Sequence, residues 1–197
     1  VSQPTVANAT INPSSLADQV ITFPALASVP YGTASVSLLA TSDNPGGNPI
    51  TYTSSNTAVA TISGNTAVIV GAGTTTITAS QAGDATHNPA VDETQSLTVT
   101  QLPITITGIS ALDKPYDTTT TATLTGTAVL SPSPINGDVI TIGGTPVANF
   151  ATANAGTQAV TVSGYTLNGA AAGNYSFSQP IVADATITQL SQTITTF

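Results

Sequence analysis

The chain lacks several residue types that enzymes and small secreted domains commonly use. It contains no cysteine, methionine or tryptophan, and Lys114 is its one residue of the Lys and Arg types. The absence of cysteine excludes a disulfide framework and thiol chemistry. His87 is the one histidine, in the polar stretch "GDATHNPA", and the chain has no GxSxG motif. A histidine-activated nucleophile is therefore not indicated, and we expect a protein that is not an enzyme.

Charged residues are also scarce, and almost all of them have the same sign. Nine acidic residues and a single base give a net charge of −8 at pH 7. A chain without a basic patch cannot neutralise a run of phosphates, so this composition excludes nucleic acid as a partner. No apolar run approaches the roughly 18 residues that span a bilayer, so no transmembrane segment is predicted.

The residues that are abundant favour β-structure. Threonine makes up about a fifth of the chain, and a β-branched side chain with a hydroxyl group suits a strand that has one face in water. Hydrophobic residues make up 40% of the chain, which indicates a folded core rather than disorder. A length of 197 residues is enough for two domains of roughly 80 to 100 residues each.

Short β-branched runs recur about every 8 to 12 residues between Gly, Pro and Asn, a pattern typical of antiparallel β-sandwiches. The first series is "QVITF", "ASVSLLA", "PITYTS", "AVATIS", "TAVIVG", "TTTITAS" and "TQSLTVT". The second series is "ITITGI", "TATLTGTAV", "DVITIGG", "VANF", "QAVTVSGYTL", "NYSFSQ" and "DATITQL". The short, proline-marked junction "VTQLPITI" predicts two sandwiches in tandem, end to end. The predicted core residues are Phe23, Tyr52, Ile62, Val70 and Ile77, then Ile106, Leu124, Phe150, Val162, Tyr165 and Tyr175.

Two stretches resemble known families. Residues of about 20 to 100, with "ITYTSSNTAVATISGNTAVIVGAGTTTITAS", resemble a bacterial Ig-like domain of the second family. Residues of about 103 to 190 resemble the YDG repeat of large bacterial surface proteins, through "KPYDTTTTATLTG", "NGDVITI" and "NAGTQAVTVSGYTLNGAAAGNYSFSQP". The resemblances imply an all-β chain of two Ig-like antiparallel β-sandwich domains. They also imply exported, multi-domain surface proteins or adhesins without catalytic activity.

One position departs from the YDG pattern. The glycine that gives the motif its name is Thr118 here, after Tyr116 and Asp117. Glycine adopts positive φ at little cost, whereas a β-branched residue does not. We therefore expect the turn at Thr118 either to have a different shape or to carry a small strain cost.

A ten-residue segment occurs twice. "SQPTVANATI" spans Ser2 to Ile11, and "SQPIVADATI" spans Ser178 to Ile187, with differences at two positions. Order, spacing and flanks agree, which indicates slightly more than one repeat of about 175 residues. The predicted division is 1–16, the last strand of a preceding YDG-like repeat or a donor strand; 17–101, a bacterial Ig-like sandwich; 102–190, a YDG-like sandwich; and 191–197, the first strand of a following Ig-like repeat.

Two modes of assembly follow from this repeat. Neighbouring copies are joined either covalently, as a tandem array, or by β-strand exchange, in which the first segment is donated to a neighbouring subunit. The predicted assembly residues are Ser2, Gln3, Pro4, Val6, Ala9, Ile11, Ser178, Gln179, Pro180 and Ile187.

Two further sites are candidates for metal binding or covalent chemistry. Asp84, Asn88, Asp92 and Glu93 form the densest oxygen cluster and are candidate calcium ligands, although no DxD or DxN spacing supports them. No other cofactor is predicted. Lys114 is expected to form a surface ion pair with Asp117, and the alternative is a self-catalysed amide crosslink between a buried lysine and an asparagine.

The sequence therefore predicts a structural role at the bacterial cell surface. We expect a repeat segment of an extracellular stalk, adhesin or filament, which provides length and stiffness. The alternatives are a self-assembling fibre subunit, or an adhesin module whose loops bind a glycan or a host surface.

Overall fold

The protein is all-β, as the sequence predicts. A computed structural model describes residues 15–193, and the only helical element in that range is a 3₁₀ turn, Ala172–Asn174. Residues 15–193 contain no helix with the length and hydropathy of a membrane span. The described residues form two compact units: the first comprises residues 15–27, 35–68 and 75–97, and the second comprises residues 28–34, 69–74 and 98–193.

The first nine strands lie before residue 101. They are β1 (Ile21–Thr22), β2 (Val29–Pro30), β3 (Ser35–Ser37), β4 (Thr41–Ser42), β5 (Thr51–Ser54), β6 (Ala60–Ser63), β7 (Thr66–Ile69), β8 (Gly73–Ser80) and β9 (Glu93–Thr100). They form sheets of order β1-β4, β3-β7-β6 and β2-β9-β8-β5. Each of the seven runs predicted in this part of the chain contains a strand.

The core of the first unit follows the alternation of its strands. In β8, Thr75, Ile77 and Ala79 are buried while the residues between them are more exposed, because successive side chains of a strand point to opposite faces. The rings of Phe23 and Tyr52 pack with their centroids 5.7 Å apart. The buried hydrophobic side chains of this unit are Ile21, Phe23, Leu38, Val59, Ala60, Ala67, Ile77, Ala79 and Leu97.

The other nine strands belong to the second unit. They are β10 (Leu102–Ala111), β11 (Lys114–Pro115), β12 (Thr121–Ala122), β13 (Leu124–Ser131), β14 (Thr141–Phe150), β15 (Gly156–Gln158), β16 (Val160–Asn168), β17 (Tyr175–Ser178) and β18 (Ala185–Thr188). They form three sheets, with orders β13-β10-β17, β12-β14-β16 and β11-β18-β15. One core cluster joins the last two sheets and consists of Ala122, Ala148, Phe150, Val160, Val162, Ala185 and Ile187.

Three details differ from the sequence-based expectation. The run "TATLTGTAV" is divided between β12 and β13, which lie in different sheets, and the runs "DVITIGG" and "VANF" belong to the single strand β14. The prediction that Val70 lies in the core is wrong. Val70 is 46% exposed, because it follows the last residue of β7 and is not held against the sheet.

Most strand pairs for which a direction is assigned are antiparallel, but three are parallel. They are β2 with β9, β10 with β17, and β11 with β18. In each of these pairs a strand near the start of a series lies beside a strand near its end. This arrangement places the end of the second series, β18, inside a sheet rather than at its edge.

Candidate functional site

The candidate site is the slot that holds strand β18. We use "slot" for strands β11 and β15 together with the core-cluster residues of β12, β14 and β16 beneath them. β18 runs parallel to β11, with Ile187 opposite Lys114, and antiparallel to β15, with Thr186 opposite Thr157. Both edges of β18 are therefore hydrogen-bonded, and removal of β18 would expose two strand edges at once.

Burial alternates along β18 and the residues that lead to it. Ala185 and Ile187 are 4% and 1% exposed and belong to the core cluster. Pro180 is buried, and Val182 packs against the same cluster. Ile181 points into solvent and is 98% exposed. The segment from residue 180 to residue 187 therefore contributes an apolar face to the second unit.

Polar contacts fix the register of this segment. The side-chain amide of Gln179 accepts a hydrogen bond from the Tyr165 N–H at 3.2 Å and donates one to the Tyr165 carbonyl oxygen at 2.8 Å. The Gln179 side chain thus forms the two backbone hydrogen bonds with Tyr165 of β16 that a neighbouring strand would form. The Thr186 N–H donates to the Asp113 carboxylate at 2.6 Å.

The structure places only some of the predicted assembly residues. Ser178 ends β17, where its carbonyl oxygen accepts a hydrogen bond from the Thr105 hydroxyl at 3.1 Å. Gln179, Pro180 and Ile187 have the roles described above. The predicted assembly residues of the first copy lie outside the described residues: Ser2, Gln3, Pro4, Val6, Ala9 and Ile11.

Lys114 stands at the edge of the slot and is mostly covered. Its side chain is 15% exposed, and its ammonium group lies 2.8 Å from the Asp117 carboxylate and 5.5 Å from the centroid of the Phe150 ring. It also donates to the Thr119 carbonyl oxygen at 2.8 Å and to the Thr119 hydroxyl at 2.9 Å. The polar partners of the Lys114 ammonium group are thus an aspartate and a threonine.

Asp117 organises the turn that follows β11. Its Oδ1 accepts hydrogen bonds from the Lys114 ammonium, from the Thr119 N–H and from the Thr119 hydroxyl. The bond from Lys114, followed by those from Thr119, lowers the pKa of Asp117 to about 2. Thr118, between them, has a φ of +66°. The turn therefore keeps the backbone conformation that favours glycine, and a β-branched residue bears the strain in it.

Of the calcium candidates, Asp84 and Asn88 form separate sets of hydrogen bonds. Asp84 closes a turn: its Oδ1 accepts from the Thr86 hydroxyl, the Thr86 N–H and the His87 N–H, and its Oδ2 accepts from Asn44. These bonds, that of the Thr86 hydroxyl first, hold the Asp84 pKa well below its usual value. Asn88 donates to Asp18, while Asp92 and Glu93 are exposed. Across residues 15–193, no three His, Asp or Glu residues are grouped so as to hold a metal ion.

Sequence reasoning missed a buried polar cluster within the second unit. The hydroxyl groups of Tyr31 and Tyr175 both donate to Asp138 Oδ2, at 2.9 and 2.8 Å. The two residues are each 3% exposed, and their rings meet edge to face with centroids 5.8 Å apart. Burial raises the pKa of both tyrosine hydroxyl groups. Tyr31 and Asp138 are far apart in the sequence, so no local pattern could have indicated their contact.

A comparison with protein-family models bears on the part of the chain that contains the slot. Residues 100–183 match the YDG domain. This match confirms the YDG part of the resemblance seen in the sequence. The YDG domain match begins just before β10 and ends just before β18, so it includes β11 and β15 but not the strand between them. A search of curated proteins finds no match to the chain.

Proposed function

We propose that this chain is a structural segment of an extracellular bacterial stalk, adhesin or filament, in which β-sandwich modules provide length and stiffness. In this proposal residues 17–101 are a bacterial Ig-like module and the YDG domain is the second module. The YDG match supports a place among large bacterial surface proteins, because the resemblance to that repeat implies such proteins.

The observation that carries the proposal is the parallel pairing of early and late strands. β10 lies parallel to β17, and β11 lies parallel to β18. Tension applied to the two ends of the YDG domain pulls such partners in opposite directions along a common axis. The hydrogen bonds between them are therefore loaded together, whereas antiparallel partners pulled from one end open one bond at a time. This geometry resists extension, which is what a stalk requires.

Composition supports the same role. The chain has one residue of the Lys and Arg types, so proteases that cleave at basic residues find little to cut. Several aromatic rings that a glycan-binding surface could have used are buried, among them Phe23, Tyr31, Phe150 and Tyr175. These rings stabilise the modules from the inside and do not form an exposed platform for a ligand.

Single-molecule force spectroscopy tests the mechanical part of the proposal. We expect the full chain, pulled from its two ends, to show an unfolding event that Ile187→Ala weakens, because Ile187 anchors β18 in the core. Ile181→Ala is the matched control, since Ile181 lies in the same segment and is 98% exposed. Equal unfolding forces for the two variants would contradict a load-bearing role for β18.

Localisation is tested separately. An antibody raised against the folded chain should label intact cells of the source bacterium. Treatment of intact cells with proteinase K should remove that label. Labelling that requires permeabilised cells would overturn the extracellular part of the proposal, whatever the force measurement shows.

A further inference from the structure

The position of the second copy in the fold shows which residues of the duplicated segment make contacts. Residues 178–187 end β17, cross to the slot and form most of β18. The first copy, residues 2–11, lies outside the described residues, so its sequence is compared with the positions of the second copy. In that alignment Ala9 and Ile11 correspond to Ala185 and Ile187.

The two differences between the copies fall at exposed positions. Thr5 corresponds to Ile181, which is 98% exposed, and Asn8 corresponds to Asp184, which is also exposed. A substitution at either position changes no buried contact. By contrast, a difference at the position of Ile187, which is 1% exposed, would alter the packing of the core cluster.

The positions that contact the YDG domain are identical in the two copies. Four of them supply the apolar face, and in the first copy they are Pro4, Val6, Ala9 and Ile11. Gln3 corresponds to Gln179, the residue whose amide forms two hydrogen bonds to the backbone of β16. The first copy therefore carries both the apolar face and the polar group that set the register of the second copy in its slot.

We propose that residues 2–11 of one chain occupy the β18 slot of a second copy of this chain, in exchange with that copy's own strand. Residues 15–193 contain one such slot, and the sequence contains two segments that fit it. A second segment that fits an occupied slot permits strand exchange between molecules, because the incoming strand packs and hydrogen-bonds in the slot as the outgoing strand did. The inference rests on the proposed structural function and names the partner that such a segment joins.

Tethering decides when the exchange takes place. β18 is attached to its own slot by a short connection, so its effective concentration there is on the order of millimolar. Residues 2–11 of another chain therefore compete poorly with β18 for the slot in dilute solution. They compete well at the high local concentration of chains in a filament. Weakening β18 alone should therefore convert the chain into a head-to-tail polymer, in which every molecule offers one vacant slot and one donor segment.

Three variants of the full chain test this. Ile187→Asp disables β18, Ile11→Asp disables the first copy, and the third variant carries both changes. We expect Ile187→Asp to remain folded and to grow with concentration, by about twofold or more in weight-average mass over a hundredfold range. Ile11→Asp should be a folded monomer. The double variant should lose the melting transition of the YDG domain.

Ile181→Asp is the control for this series. It adds the same charge at an exposed position and should behave as the unmodified chain does.

Two outcomes of this series would overturn the proposal. If Ile187→Asp is as unfolded as the double variant, residues 2–11 do not fit the slot. If Ile187→Asp is a folded monomer at every concentration, the first segment closes its own chain's slot and not that of a second copy. Light scattering after size exclusion and circular dichroism melting distinguish these results.

Cysteine crosslinking tests the register without damaging the core. The chain has no cysteine, and Thr10 corresponds to Thr186, which lies opposite Thr157. Chains carrying Thr10→Cys, mixed at high concentration with chains carrying Thr157→Cys, should form mixed disulfide dimers. Thr5→Cys, whose counterpart Ile181 faces solvent, should not. Equal yields from both mixtures would overturn the proposed register. Neither experiment depends on localisation or on unfolding force, so failure of strand exchange leaves the structural function to be judged by its own tests.

Discussion

Thr118 bears backbone strain that glycine would relieve. Its φ of +66° is in the left-handed region, where a non-glycine residue costs about 1 to 2 kcal/mol. Thr118→Gly should therefore stabilise the YDG domain by about 0.5 to 1 kcal/mol, after the extra backbone entropy of glycine in the unfolded chain is subtracted. The free energy of unfolding in urea measures the change.

Thr120→Gly is the matched control for this substitution. Thr120 is exposed, lies in the same loop and does not have a positive φ. The same change of residue type should therefore lower stability there, by about 0.5 to 1 kcal/mol. Stabilisation at both positions, or at neither, would show that the strain at Thr118 is not what limits this turn.

The Asp117 carboxylate makes stability depend on pH in the acid range. Hydrogen bonds from Lys114 and Thr119 lower its pKa to about 2 from 3.8. Its contribution is therefore fully present above about pH 4 and is lost as the pH falls toward 2, because the unfolded chain takes up the proton first. Asp117→Asn should thus destabilise the protein at pH 6 and have little effect at pH 2.

The same series identifies which partner matters most. Lys114→Met removes the largest cause of the lowered Asp117 pKa, so the acid-dependent loss of stability should be smaller and should level off at a higher pH, while its onset near pH 4 stays the same. The bonds from Thr119 remain and should preserve part of the effect. Urea unfolding at several pH values measures both variants, and identical pH profiles for Lys114→Met and the unmodified chain would assign the effect to other groups.

The bulge between β14 and β16 depends on two facing glycines. The register shifts between Gly144 and Val147, and both Gly144 and Gly164 have positive φ. A Cβ on Gly144 would overlap the Gly164 carbonyl oxygen. Gly144→Ala should therefore destabilise the YDG domain by about 3 kcal/mol, from the strained φ and the backbone clash together.

Gly137→Ala separates the two causes. Gly137 also has a positive φ, but a Cβ there would have nothing within 4 Å. Gly137→Ala should therefore lower stability by about 1 kcal/mol, through backbone strain alone. Chemical denaturation of both variants gives the comparison. If Gly137→Ala costs as much as Gly144→Ala, the close approach of the two strands is not responsible.

This bulge also shows where sequence reasoning reaches its limit. The pair Gly143-Gly144 indicates the end of a strand, yet β14 continues through it to Phe150, because a bulge accommodates what a regular ladder would not. β2, β4, β11 and β15 have two or three residues each and are too short to show alternation. Parallel and antiparallel partners have the same two-residue period, so the sequence could not indicate the parallel pairs.

The candidate site is predictable only in part for a related reason. The repeat in the sequence identifies the segment that ends in Ile187, because a duplicated segment is a local signal. Its partners Lys114 and Gly156 lie 73 and 31 residues before it, and the chain carries no pattern that joins them. The alternation of Ala185 and Ile187 does indicate which side of the strand faces the core.

The chain as a whole presents almost no site to trypsin. Lys114 is its one Lys or Arg, and Pro115 follows it, so the proline ring obstructs the bond that trypsin would cut. The unmodified chain should therefore stay intact in trypsin both when folded and in urea. Pro115→Ala makes the bond after Lys114 cleavable. The rate of cleavage then measures how often the structure around this bond opens.

Folding should protect that bond in the Pro115→Ala chain. Lys114 is paired with Ile187 of β18, so cleavage requires β18 to leave its slot. Ile187→Ala in the same background should raise the cleavage rate about thirtyfold or more, since burying an isoleucine contributes about 2 kcal/mol or more and cleavage follows the open population when opening is fast. Ile181→Ala should leave the rate unchanged. Rapid cleavage of the folded Pro115→Ala chain would mean that β11 opens without β18, and the two strands would then not bear load together.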